Sequence, residues 1–298
     1  MKFILSLLML LATSQSANAA LRVMACEPEW GALVTELGGE LVNVYTATGG
    51  LQDPHHVEAR PSFIAQARRA ELLVCTGAEL EAGWLPVLLR QAGNARIQPG
   101  SPGYFEAAAF VPKLDVPARL DRSEGDVHAA GNPHIQTDPH NIARVAEALS
   151  KRLAEVDPAN AAAYQSRYAA FSVRWRQAIQ RWEKQAAPLK GVAIVVHHKG
   201  WSYLTRWLGM REVAALEPKP GIEPSVAYLT GVLARLQKDP ARIIIRNPYN
   251  DSRASEWLAE RTRMPMVVLP FTVGGNENAR DLFSLFDDTL QRLLGAGK

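Results

Sequence analysis

From Leu21 onward, apolar residues alternate between two patterns. Short unbroken runs read as strands: Leu21 to Ala25, Leu41 to Thr46, Leu72 to Cys75, Val192 to Val196, Glu212 to Leu216, Ile243 to Ile245 and Met266 to Leu269. Between them the spacing turns helical. Trp30, Leu33, Val34 and Leu37 share one face, and Gly38-Gly39 stops that helix. Another helix starts at Pro61-Ser62, and the next carries Leu80, Trp84, Leu85, Leu88 and Leu89. Asp138 is placed to cap a helix with Pro139 at its first position. Further helices begin near Gly200, Pro224, Ser252 and Ala279. Strand-helix alternation predicts an α/β protein with mostly parallel sheets covered by helices on both faces.

Two stretches break the alternation. From Asp157-Pro158 to Pro188 one apolar face, Tyr164, Tyr168, Phe171, Trp175, Ile179 and Trp182, recurs at steps of three and four. Nearly 30 helical residues would extend about 45 Å, more than one lobe needs, so this helix reads as a spine joining two lobes. The other stretch, residues 99–131, is rich in Pro, Gly and Asp and reads as a long loop carrying Asp121, Glu124, Asp126 and His128. The expected organisation is a leader at 1–19, an N-terminal lobe at 20–156, the spine at 157–188 and a C-terminal lobe at 189–298.

Composition adds a compartment and removes some partners. Lys2, the apolar run Phe3 to Ala12 and the small-x-small site Ala17-Asn18-Ala19 form an export signal, so cleavage is expected after Ala19. Cys26 is separated from the apolar run by Arg22 and a polar stretch, so a periplasmic protein without a lipid anchor is expected. The formal charge of +3 falls to +2 without Lys2, which gives no reason to invoke nucleic acid. Cys26 and Cys75 each end a predicted strand and enter an oxidising compartment. A disulfide and two buried thiols both fit that spacing.

Candidate chemistry lies just beyond the strand ends, where α/β sheets gather ligands. His55 and His198 follow strands in different lobes, and His134 sits in a turn stiffened by Pro133 at the start of a helix. Asp281, at the beginning of the last helix, is the expected fourth ligand, with Glu277 as its rival. Three imidazoles and one carboxylate suit a closed tetrahedral zinc site. No HExxH, CxxC or EF-hand spacing is present.

The segment Gln52 to Ser62, with Asp53-Pro54-His55, Glu58 and Pro61-Ser62, is followed by Ala70-Glu71-Leu72 and Gly77-Ala78-Glu79-Leu80-Glu81. Together these resemble the metal-binding proteins of zinc and manganese ABC importers. Asn132-Pro133-His134 with Asp138-Pro139, and His198 five residues before Tyr203, resemble that family's second and third blocks. The usual Asp after the third ligand is Lys199 here. The resemblance implies two lobes with one metal between them, and a monomer that captures Zn2+ and delivers it to the membrane permease of an ABC importer. It implies no catalysis. Manganese-binding members tend to carry a carboxylate where this chain has His198, so zinc is expected.

Neighbouring histidines receive simpler readings. His56 and His197 adjoin proposed ligands and point the opposite way in an extended segment. His140 belongs to a first helical turn and His128 to a solvated loop. A secreted zinc hydrolase is the rival function, with Glu58 as base and an open metal position. Binding of an organic iron or cobalt complex is a further rival, and it needs no inward cluster of histidines.

Overall fold

The computed structural model describes residues 19–117 and 128–296. The predicted leader, apart from Ala19, and the loop acids Asp121, Glu124 and Asp126 lie outside the described residues. The described chain folds around two four-stranded parallel sheets. The first contains β1 (Leu21–Ala25), β2 (Val42–Thr46), β3 (Leu72–Cys75) and β4 (Tyr104–Glu106), in the order β2-β1-β3-β4. The second contains β5 (Ala193–Val196), β6 (Arg211–Ala215), β7 (Ile243–Arg246) and β8 (Met266–Val268), in the order β6-β5-β7-β8. In both, the chain leaves a central strand, adds one strand to one side, then crosses to the other. That reversal opens a crevice at the carboxyl ends of β1 and β3, and likewise of β5 and β7.

Helices cover both faces. On the inner faces lie α1 (Pro28–Gly38), α4 (Pro139–Val156), α5 (Ala161–Ala186) and α9 (Leu282–Ala296). The outer faces carry α2 (Pro61–Arg69) and α3 (Leu85–Ala92) on the first sheet, with α7 (Val226–Lys238) and α8 (Arg253–Thr262) on the second. The remaining helix, α6 (Ser202–Leu208), follows β5. Each outer face encloses its own core, but the inner faces share one. Leu72, Val74 and Trp30 from the first lobe belong to the same apolar cluster as Ile194, Val196 and Ile243 from the second. The predicted spine passes through it as α5, 26 residues long, flanked by 3-10 turns at Pro158–Asn160 and Ala187–Leu189. Its stripe of Phe171, Trp175 and Trp182 packs edge-on against Phe283 and Phe286 of α9, with ring centroids 4.8–6.4 Å apart. Trp175 Nε1 donates to the Pro139 carbonyl at 2.8 Å, and Trp182 Nε1 to Asp287 at 2.6 Å, so the indole N–H groups do not go unpaired.

Three local expectations change. The helix predicted to carry Leu80 begins only at Leu85, because Ala78 and Glu79 adopt left-handed conformations with φ of 51° and 68°. Each left-handed non-glycine residue costs on the order of 1 kcal/mol, and the turn is held by the Glu81 carboxylate, which accepts from Thr76 N and Gly77 N. Within the predicted loop, Tyr104–Glu106 forms β4 on the edge of β3, with Phe105 buried. Gly103 allows this approach, since a Cβ there would stand 2.3 Å from the Arg96 carbonyl oxygen. Finally, the parallel register of β1 on β3 pairs Ala25 with Val74 and brings Cys26 and Cys75 together as a disulfide. Such a link typically adds 2–4 kcal/mol by restricting the unfolded chain.

The carboxyl ends of β1 and β3 also hold three buried acids, Glu27, Glu29 and Glu81. Burial pushes Glu29 and Glu81 up to about 7. Burial, with Glu81 and Glu29 nearby, raises Glu27 well above the carboxylate range. Glu29 accepts from the Thr272 hydroxyl and so ties α1 to the second lobe. Its carboxyl holds a proton more tightly in the folded chain than in the unfolded one. The stability it contributes is therefore present below the ordinary glutamate value and lost as pH rises through about 7. We expect the thermal midpoint of metal-free Glu29→Gln to rise relative to that of the natural chain between about pH 5.5 and about pH 8. A difference that stays constant with pH would contradict this assignment.

Candidate metal centre

His55, His134 and His198 converge where the carboxyl ends of the two sheets face each other. His55 lies in the turn after β2, His198 two residues past β5, and His134 immediately before the 3-10 turn Ile135–Thr137 that leads into α4. Their ring nitrogens all lie within 4.8 Å of one another. Ring centroids are 5.1 Å apart for His55 and His134, 5.6 Å for His55 and His198, and 5.4 Å for His134 and His198.

Each ring is held from behind. Asp53 Oδ1 accepts from the backbone N of His55 at 3.0 Å and lies 2.8 Å from its Nδ1, so Nε2 faces inward. Burial alone would raise the Asp53 carboxyl, but its bonds to His55 bring it below its ordinary value. Asn132 fixes His134, its Oδ1 accepting from His134 N at 3.0 Å while its Nδ2 donates to the Lys199 carbonyl at 2.9 Å across the lobes. Tyr203 OH donates to the Asn132 carbonyl at 2.8 Å, and the Phe271 ring lies 5.0 Å from that of His134. His198 Nδ1 stands 2.7 Å from Glu217 Oε2.

Burial and the neighbouring His55 and His198 rings push His134 well below the usual histidine range. A site whose imidazoles resist protonation keeps lone pairs available for a cation. The His134 and His198 Nε2 atoms lie 3.4 Å apart. Two nitrogens on a tetrahedral zinc at its usual bond length would be separated by about 3.3 Å. The arrangement can therefore hold one divalent ion on nitrogen donors.

The fourth expected ligand is not there. Asp281 is exposed, and its Oδ1 accepts from Ser284 N at 2.7 Å, closing the first turn of α9. Glu277 is exposed as well. The buried acid of this region, Asp288, is taken up by Asn276, Asn278 and Arg292. This corrects the assignment of Asp281: several acids crowd a helix start, and its carboxylate is consumed by the cap.

In its place stands His128, read above as a solvated loop residue. It is half-buried, and its Nε2 is 3.3 Å from that of His55. Burial, then His55 and His198, push it down to about 4. Its position six residues before His134, across the left-handed turn at Gly131, was the available signal. The other histidines lie aside. His56 is exposed, His197 is buried with Nε2 3.8 Å from Glu217, and His140 pairs with Glu183 on the surface. Glu58, the base of the hydrolase reading, is exposed.

We expect His55→Ala, His134→Ala and His198→Ala each to weaken metal binding at least about 100-fold, roughly 3 kcal/mol, in competition with a chromophoric chelator. Asp281→Ala should cost only its helix cap, about 1 kcal/mol of stability, and leave affinity unchanged. A loss at Asp281 as large as that at His134 would refute the placement of this loop.

Residues 23–296 match the family described as zinc-uptake complex component A, periplasmic. The manganese ABC transporter substrate-binding lipoprotein PsaA of Streptococcus pneumoniae is 21% identical over 266 residues, covering 87% of this chain and 82% of that protein. The zinc-binding lipoprotein AdcA of the same species is 22% identical over 228 residues, covering 75% of this chain and 44% of its own length. Among solved structures, a ZnuA crystal structure superposes with a TM-score of 0.79 at 23% identity, covering 94% of this chain and all of that one. A manganese-bound periplasmic metal-binding protein from Candidatus Liberibacter asiaticus gives 0.75 at 17% identity, with 92% and 98% covered.

These names correct one expectation. PsaA and its streptococcal relatives are lipoproteins, which overturns the reading of an exported protein without a lipid anchor. An apolar run and a cleavage box report export, and they do not decide what is later attached to the chain. The match over nearly the whole described chain places it in the zinc-uptake complex component A family, as a metal-binding substrate-binding protein of an ABC importer and not an enzyme.

Proposed function

We propose that the cargo is zinc, held by His55, His134 and His198 with His128 approaching from the loop, and handed to the importer's membrane permease. The observation that carries this reading is the donor set. The three converging side chains are all imidazoles, and among the described residues no carboxylate joins that group. Imidazole is a borderline donor that suits zinc, whereas manganese favours carboxylate and carbonyl oxygens. PsaA is named for manganese and AdcA for zinc, so relatives of both kinds exist. The donors of this chain favour the second.

Capture follows from the geometry. The imidazoles are brought together before the ion arrives, so little of its binding energy is spent on ordering them. A cavity of about 260 Å³, lined by His128, His134, His198, Lys199 and Glu217, opens beside the site and gives a hydrated ion room to shed water. The hydrolase reading loses support because Glu58 faces solvent.

Titration of the purified protein with zinc, and then with manganese in competition, tests the proposal. We expect one zinc per chain and a preference over manganese of at least about 100-fold, the scale on which one lost nitrogen ligand would act. Equal affinity for the two ions would reject zinc as the cargo.

A further inference from the structure

The imidazole supplied by the second lobe is braced by a residue that no sequence motif marks. Glu217 follows β6 and lies 19 positions beyond His198. Its Oε2 stands 2.7 Å from His198 Nδ1 and also accepts from Gly221 N at 3.0 Å. Its Oε1 lies 3.8 Å from His197 Nε2. The Tyr228 hydroxyl, from α7, donates to the Ala215 carbonyl at 3.1 Å and to the Glu217 carbonyl at 3.4 Å, which pins the start of this loop. The Glu217 side chain is 11% exposed and stands in the wall of the cavity beside the histidines.

A neutral imidazole carries its proton on one nitrogen and offers a lone pair on the other. A carboxylate can only accept, so at Nδ1 it keeps the proton there and leaves Nε2 as donor. His198 Nε2 is the atom that faces His134. The same contact strengthens the imidazole as a donor, which benefits a borderline ion more than a hard one. It also occupies the carboxylate. With Oε2 shared between His198 and Gly221, Glu217 is not offered to the ion as an oxygen ligand.

The three rings differ in this support. Asp53 braces His55 from two residues away, within the Asp-Pro-His turn itself. His134 Nδ1 is buried without a partner. Only His198 depends on a carboxylate delivered by a separate strand-to-helix loop. We propose that Glu217 is a positioning residue that makes His198 an Nε2 donor and tilts the site toward zinc over manganese. This rests on the proposed role of His198 as a metal ligand.

The test compares zinc and manganese affinities of the full chain for the natural sequence, Glu217→Ala and Glu217→Gln, each with His198 intact and with His198→Ala. Glu217→Ala should weaken zinc about 10–100-fold, and manganese by less. Glu217→Gln should restore most of the loss, because its amide oxygen can still accept from Nδ1. With His198 already removed, Glu217→Ala should cost zinc no more than about twofold, since the contact it acts through is gone. The visible bands of the cobalt(II) protein should shift in Glu217→Ala and stay near their natural position in Glu217→Gln. Zinc binding by Glu217→Ala equal to the natural chain, or an equal loss with and without His198, would overturn the inference. If the natural chain bound no zinc, the assignment of the ligands would fall, and this inference with it.

Discussion

The structure depends on one packing relationship, the shared apolar core between the inner faces of the two sheets. The aromatic stripe of α5 lies in it, together with residues from β1, β3, β5 and β7. Phe171, Trp175 and Trp182 lock against α9, the last helix of the chain, so the beginning and end of the fold are held by the same contacts. Large buried aromatic side chains contribute several kcal/mol each to such a core. Two lobes sharing a core cannot swing apart like lobes joined by a bare linker. Their strand ends keep a set separation, which lets loops from both sheets present imidazoles to a single point.

Close to the metal site the seam changes character. Behind it the contact is apolar, while beside it the lobes meet through Asn132 to Lys199, Gln136 to Phe271 and Glu29 to Thr272. Gly50 of the first lobe presses on the Gly274 and Gly275 backbone of the second, where a Cβ would come within 2.3 Å. Directional bonds and a close backbone contact define the seam more sharply than apolar packing alone. The acids Glu27, Glu29 and Glu81 sit on the first-lobe side of it, and burial keeps their protons bound near neutral pH. The neutral imidazoles and the protonated acids therefore have the same cause, removal from water beside the strand ends.

Much of this was readable in the sequence because it rests on local pattern. The strands Leu21–Ala25 and Leu72–Cys75, the capped start of α4 at Asp138 and the spine follow from periodicity and capping chemistry. His55 and His134 stood out because Pro54 and Pro133 stiffen the turns that carry them. What was missed depends on contacts remote in sequence. The strand Tyr104–Glu106 is too short to show a period and is defined by pairing with β3. Asp281 looked like a ligand because the order of acids near a helix start cannot reveal which of them faces the cleft. His128 and Glu217 reach the site from loops whose paths are set by tertiary packing. The sulfurs of Cys26 and Cys75 meet because β1 and β3 are neighbours, and strand spacing alone cannot show which strands pair.

The central claim is that the cargo ion is held by nitrogen from at least three histidines. X-ray absorption at the zinc edge of the loaded protein tests it directly. The account predicts a first shell at about 2.0–2.1 Å, with the outer-shell scattering of three or more imidazole rings. A first shell made mainly of oxygen, with one imidazole or none, would contradict it.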